Sequence, residues 1–415
     1  MAEREGFEPS IRFWRILTFQ ASAFDHSATA PHALEGLRPS GMGGVSQARA
    51  AWHYPAMNPM LFAAMLAAAP ATPTAQPPVN GAALAAVAPG PGEIVAKAPL
   101  ADWVTIAPQD LLVMDLAPDA KGKPRRVVIQ LMPAPFSQSW VGNIRKLAAT
   151  HWWDGLAVTR VQDNYVAQWG DPASDDPAKA RKLPEGLAVV GEGEYATPVD
   201  AITEAETAAR SAQSVGEFLA KVSAEKAALD RNGEIALAGT RTPTAPNGWH
   251  ERDSYAAWVE IHHGWPLAAQ RTEPGTNFWP VHCYGMVGVG RNLSPDTGSG
   301  AELYTVIGHA PRHLDRNIAL VGRVIEGIEH LSSLPRGHGP LGVYNPALGD
   351  ELVPIRTIRA GAEVSGLPAY QYLSTESASF ARYAEARANR HDAFFIRPAG
   401  GADICNIPVP VRRAP

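Results

Sequence analysis

Cysteine is nearly absent. Only Cys283 and Cys405 occur among 415 residues, which excludes a disulfide-dense scaffold and a four-thiolate zinc module. A basic excess is missing too. Lys and Arg total 36 against 41 Asp and Glu, a balance of 36 − 41 = −5 with pI near 6.2. No surplus of cations is available to neutralise phosphates, so a nucleic-acid partner is not expected. Charged residues of either sign make up only 19%, while hydrophobic residues reach 46%, enough to bury a sizeable core. No apolar run reaches the roughly 18–20 residues needed to cross a bilayer, so no integral membrane span is expected. A Gly-x-Ser-x-Gly elbow is absent, because Gly298-Ser-Gly lacks the spacing. Gly288-Val-Gly-Arg-Asn-Leu lacks the third glycine of a nucleotide loop.

What the chain has in quantity is glycine and proline, 37 of each, which predicts many turns and at least one unstructured segment. Residues 1–56 mix Pro, Gly, His and Arg without a sustained apolar period. The stretches from Glu5 and from Phe19 resemble peptides translated across a transfer-RNA gene. Residues 1–56 are therefore read as an over-extended start, with Met42, Met57 or Met60 as initiator; a disordered arm is the alternative. Residues 57–75 contain the apolar block Met60–Ala69 followed by small residues, the layout of a secretory signal's apolar region and cleavage site. Residues 76–102 are Pro- and Ala-rich and read as a linker. Export, to a periplasm or another compartment outside the cytoplasm, follows as an expectation.

The folded part is expected from Trp103. Asp110–Leu116 and Arg126–Met132 form a candidate hairpin across the Asp119–Gly122 turn, and Ser137–Thr150 a helix with Trp140, Ile144 and Leu147 on one face. Leu156–Val161 and Tyr165–Gln168 make a second strand pair. Residues 200–231 are rich in helix formers, with Val215, Phe218, Leu219 and Val222 at helical spacing. Strands resume at Gly285–Gly290, Leu303–Ile307 and Ile318–Val324, and Val324–Leu334 is read as a closing helix. His250, His262, His263, His282 and Cys283, with Glu251 and Glu260, match no compact zinc spacing, so no metal is expected. His262 and His263 on one strand would point to opposite faces.

Several boxes then recur in one order: Val127-Val-Ile-Gln-Leu, Pro133-Ala-Pro, Gly142-Asn-Ile, Trp153-Asp-Gly, Val158-Thr-Arg-Val, Gln168-Trp-Gly-Asp, Gly285-Met-Val-Gly-Val-Gly, Gly298-Ser-Gly-Ala-Glu-Leu-Tyr, and His313-Leu-Asp with Val321-Gly-Arg-Val. This series resembles the cyclophilin-type peptidyl-prolyl cis-trans isomerases over about residues 108–172 and 283–335. The resemblance implies a mainly β fold: a closed antiparallel eight-stranded barrel capped by helices, over residues 103–345. A long, partly helical insertion would occupy 173–282, and 346–415 would form a C-terminal extension packed on the barrel. It implies acceleration of X-Pro isomerisation in proline-containing polypeptides, without a cofactor; with the expected export the clients are exported proteins, and a monomer is expected. Arg160 would be the catalytic cation and Gln168 its orienting partner. Tyr165, Val166, Val287, Gly288, Glu302, Tyr304, His313 and Ile318 would bind substrate. Val158, Trp169, His313 and Ile318 depart from the family pattern, so the alternative is a catalytically weak or inactive peptide-binding or chaperone module.

The chemistry asks for this residue set on its own terms. Rotating an X-Pro bond means breaking amide resonance, a barrier of about 18–20 kcal/mol, with no covalent step or proton transfer required. An apolar pocket can hold the proline ring while a fixed cation favours the twisted nitrogen, and Arg keeps its charge in such a place. Two further expectations concern accessory parts. The insertion is expected to lie over one end of the groove, and Cys283 and Cys405, alone in an exported chain, to pair.

Overall fold

In the computed structural model, residues 88–203, 253–272 and 275–415 are described. The readings of residues 1–56 and 57–75, residues 76–87 of the 76–102 linker, the helix at Val215–Val222, His250 and Glu251 all lie outside those residues.

Eight strands close a barrel. They are β2 (Leu111–Leu116), β3 (Arg125–Leu131), β4 (Ala157–Val161), β5 (Val166–Gly170), β10 (Met286–Val289), β11 (Leu303–Val306), β12 (Leu320–Glu326) and β13 (Val353–Ala360). The order is β10-β11-β5-β4-β13-β2-β3-β12, and β12 pairs back onto β10. Every ladder is antiparallel. Closure leaves no unpaired edge for another chain to extend. The fold is thus mainly β, with the expected eight-stranded antiparallel barrel.

Local chemistry explains the elements. The β2–β3 turn is fastened by the Asp119 carboxylate, which accepts from the backbone N–H groups of Lys121 and Lys123 at 2.8 Å each, while Gly122 takes φ 77°. One helix, Gln138–Ala149, buries Trp140, Ile144 and Leu147 in the core beneath the barrel strands. Its N-cap residue, Ser137, adopts a left-handed φ of 55° and makes no side-chain cap. Instead Asn143 is buried, donating to the carbonyls of Ala188 and Ser299 at 2.9 and 3.1 Å and accepting from Ala188 N–H at 2.7 Å. That one side chain ties the helix to the first stretch of the insertion.

The described insertion residues build a separate four-stranded sheet in the order β6-β9-β8-β7, from β6 (Thr197–Pro198), β7 (Trp258–His262), β8 (Trp265–Arg271) and β9 (Thr276–Pro280). His263 and Gly264, both with positive φ (46° and 85°), form the two-residue turn between β7 and β8. A hairpin with two left-handed turn residues matches the twist of its strands. His263 is therefore a turn residue, and its ring meets His262 edge-on at 4.3 Å instead of facing away across a strand. A third sheet joins β1 (Trp103–Ile106), β14 (Tyr370–Leu373) and β15 (Val411–Arg413).

Four boundaries differ from the sequence expectation. The barrel does not end at residue 345, because β13 closes it between β4 and β2. The linker read over 76–102 contains a short helix, Pro91–Ala96, packed against the tail helix Ala378–Ala388. The closing helix read over Val324–Leu334 is only Glu329–Ser332, since the strand β12 runs on to Glu326. The tail read as one accessory extension supplies a barrel strand, two strands of the small sheet and a helix. Cys283 and Cys405 are joined by a disulfide across 122 residues, Cα atoms 5.1 Å apart, which fastens the tail beside β10. Among the described residues no helix is long and apolar enough to cross a membrane.

Candidate active site

Strand alternation sorts side chains into two sets. On β5, Ala167 and Trp169 face the main core while Val166 and Gln168 face the opposite side. On β11, Leu303 faces the core while Tyr304 and Val306 face outward with Val166. Tyr165, Val166, Tyr304, Val306 and Leu314 form an apolar cluster of their own, with Ile318 packed on it. Trp169, at a position where the motif pattern has a small residue, is fully buried in the core and leaves this face unchanged.

Arg160 reaches the same face through an irregularity. The β4–β5 register shifts between Val158 and Arg160, a bulge that lets the adjacent Thr159 and Arg160 both line one cavity. The residue is only 7% exposed. Its guanidinium donates from Nε to the Leu341 carbonyl at 2.8 Å, from Nη1 to Gln168 Oε1 at 3.2 Å, and from Nη2 to Gln162 Oε1. Its carbon lies 5.7 Å from the Tyr165 ring centre. Burial lowers its pKa to about 10, so it stays a cation at neutral pH. A fixed cation beside an apolar cluster, with little water to screen it, is the arrangement that X-Pro rotation asks for.

Gln168 is itself oriented. Its amide nitrogen donates to Glu302 Oε2 at 3.0 Å, so its oxygen is the atom turned to Arg160. Glu302 fits between two glycines: a Cβ on Gly170 would sit 2.8 Å from Glu302 Cγ, and one on Gly290 would sit 3.0 Å from its Cβ. Burial raises the Glu302 pKa, opposed by hydrogen bonds from Ser174 and Gln168.

Seven of the expected residues line one cavity of about 520 Å³: Arg160, Tyr165, Val166, Gln168, Glu302, Tyr304 and Ile318. Three do not. Val287 is buried in the main core, Gly288 lies beneath the Tyr304 ring, and His313 is exposed on the short 3-10 turn Arg312–Leu314. No residue of β10 lines the cavity; Gly290 and the residues that follow it to Leu293 border it instead. From the Arg312–Leu314 turn it is Leu314, one residue on from His313, that enters the pocket.

Sequence reasoning missed Leu341 and Val343, which close the cavity near Arg160, and the stretch Pro172–Leu183, which walls its far end. The first two offered a readable signal, an apolar pair around Gly342 just after the proline-rich turn. The wall at Pro172–Leu183 is polar loop and offered none. It is this first stretch of the insertion that borders the cavity; no residue of strands β6 to β9 lines it.

Residues 121–343 match the model of the family described as cyclophilin type peptidyl-prolyl cis-trans isomerase/CLD. Among solved structures, the chain is similar to the cyclophilin AquaCyp293 from Hirschia baltica, at 19% identity and TM-score 0.48, covering 75% of this chain and 92% of that one. It is also similar to a cyclophilin type isomerase from Cryptosporidium parvum, at 9% identity and TM-score 0.31, covering 60% of this chain and 96% of that one. No curated protein matches the sequence.

Proposed function

The chain belongs to the cyclophilin type peptidyl-prolyl cis-trans isomerase family, and from that membership we propose that it isomerises X-Pro bonds in polypeptides bound along the cavity beside Arg160. The proline ring sits on Tyr165, Val166, Tyr304, Leu314 and Ile318. As the bond twists, its nitrogen loses conjugation and becomes pyramidal, and the Arg160 guanidinium stabilises the lone pair exposed there. Gln168, held by Glu302, keeps the guanidinium aimed. No group has to transfer a proton.

One observation carries this reading: a 7%-exposed arginine and an apolar cluster separate from the core share one cavity. The test is a cis-trans assay on a short Ala-Pro peptide with the full chain. Arg160→Ala is expected to lower kcat/KM at least about tenfold, about 1.4 kcal/mol of barrier, with the fold intact. Undiminished rates in a folded variant would sink the assignment. A wild-type chain that binds proline peptides without accelerating them would make this a peptide-binding or chaperone module.

We also infer that the clients are exported proteins met in an oxidising compartment. The support is the Cys283–Cys405 disulfide, since such bonds persist outside the reducing cytoplasm, together with the apolar block at Met60–Ala69. Fractionation of the source cells should find the protein outside the cytoplasm, its mature end between Pro70 and Gln76. A cytoplasmic protein with two free thiols would refute this placement.

A further inference from the structure

Behind the pocket wall runs a buried chain of hydrogen bonds that the isomerisation chemistry does not itself require. The Tyr304 ring lies against Gly288, where a Cβ would come within 2.4 Å of Cζ and 2.3 Å of the hydroxyl. Only a glycine leaves room for the ring to lie flat, and its hydroxyl then passes inward to His282 Nε2 at 2.9 Å. The two rings are nearly parallel, 10° apart with centres 6.4 Å apart. His282 is fully buried.

The protons in this chain can be assigned. Asp315 Oδ1 accepts from the His282 backbone N–H at 3.0 Å and lies 2.9 Å from His282 Nδ1. Burial would raise the Asp315 pKa, but bonds from His282 and Arg312 outweigh it and hold the carboxyl below its ordinary value. An ionised carboxylate only accepts, so Nδ1 carries the proton; in a neutral ring Nε2 then accepts from the Tyr304 hydroxyl. Asp315 Oδ2 takes a bond from Arg312 Nε at 2.7 Å, and the other two guanidinium nitrogens bond Asp253 at 2.6 and 2.9 Å. The Arg312 and Asp253 side chains are 2% and 1% exposed.

The same short turn that carries Arg312 and Asp315 presents Leu314 to the pocket. The chain of bonds therefore ties two pocket walls, Tyr304 from β11 and Leu314 from the turn, to one buried frame. Asp253 brings the insertion into that frame from a place that does not border the cavity.

We infer that His282 is a positioning residue for the isomerisation: through the Tyr304 hydroxyl it fixes the aromatic wall that holds the proline ring. A wall already held in place need not be ordered when substrate binds, and small misplacements of a binding wall are costly to rate. The inference rests on the reading of this cavity as the X-Pro site.

The test is a double-mutant cycle on the full chain with the Ala-Pro peptide. His282→Leu is expected to lower kcat/KM about 10- to 100-fold, mainly through KM. His282→Gln, whose amide reaches the Tyr304 hydroxyl, should recover most of the loss. Tyr304→Phe should cost about as much as His282→Leu, and the double variant no more than either. Independently of turnover, the 13C resonance of Tyr304 Cζ, assigned by its loss in Tyr304→Phe, should move in His282→Leu and return toward its wild-type position in His282→Gln. Additive losses, or wild-type kinetics in a folded His282→Leu, would overturn the inference while the wild-type activity upheld the site. An inactive wild-type chain whose Cζ resonance still moved would overturn the site reading, and the kinetic role of His282 with it. A variant of His282→Leu that failed to fold, where His282→Gln folded and bound peptide normally with Tyr304 Cζ unmoved, would also count against it.

Discussion

Two buried arginines differ in what lies in front of them. Arg160 and Arg323 are both pushed by burial to a pKa of about 10. Both donate to an amide side chain and a backbone carbonyl: Arg160 to Gln168 and Leu341, Arg323 to Gln130 and Gly264. Both lie near aromatic rings, Arg323 over Trp265 at 4.6 Å and near Tyr372 at 5.9 Å. Yet Arg160 lines the site cavity and Arg323 does not. Arg323 sits where the β7–β8 turn of the insertion meets β3 and β12 of the barrel, and serves as a pin between them. A perturbed cation by itself marks burial; an apolar cavity in front of it marks a site.

A third arginine shows what a fully charged environment does. Arg312 meets two carboxylates, and their bonds raise its pKa against the effect of burial. Here the largest stability effect is expected. Asp253→Ala removes one carboxylate from a fully buried pair and should cost about 3–5 kcal/mol, because the guanidinium loses a partner it cannot replace with water. Urea unfolding would measure it. A loss below about 1 kcal/mol would mean that Asp403, now 3.8 Å from Arg312, takes over, and that the insertion adds little to the frame.

The next effect separates the two buried cations directly. Arg323→Met should lower stability by about 1–3 kcal/mol, since Gln130 Oε1 and the Gly264 carbonyl lose their donor in a dry site. Its kcat/KM should remain within about twofold of wild type, because nothing near the cavity moves. Arg160→Ala should show the reverse pattern, since its freed partners can reach water in the cavity. If Arg323→Met lost activity as Arg160→Ala does, the cavity would not be what distinguishes them.

Much of this was legible in the chain. Strands β2 to β5 and β10 to β12 follow apolar runs bounded by turns, and Arg160, Tyr165, Val166, Gln168 and Tyr304 fall on them with the alternation that brings them to one face. The strand β13 was hidden by Pro354, a residue that demotes a strand reading; here it sits near the strand's start, beside a register shift between Ile355 and Thr357, where a missing N–H is tolerated. The β7–β8 hairpin was hidden by His263, a side chain that reads as strand beside His262 although the Gly264 next to it allowed the tight turn. The frame behind Tyr304 had no local signature, because His282, Asp315 and Asp253 meet only through the folded chain. His313 occupies the motif position, but its neighbours Arg312, Leu314 and Asp315 do the packing and the bonding.

The smallest effect concerns Glu302, the carboxylate that sets the direction of Gln168. Its pKa is raised chiefly by burial, so between the ordinary Glu range and that raised value the folded chain binds a proton that the unfolded chain has lost. Stability gained from this group is present at low pH and falls as pH rises through the window, by the linkage between proton binding and unfolding. Glu302→Gln is neutral throughout, keeps an oxygen for the Gln168 amide and removes that slope. Urea midpoints measured from pH 4 to pH 8 should therefore fall less steeply for Glu302→Gln than for wild type. Parallel curves would mean that water reaches Glu302 freely, and the Gln168–Arg160 bond would then be aimed by something other than a desolvated carboxylate.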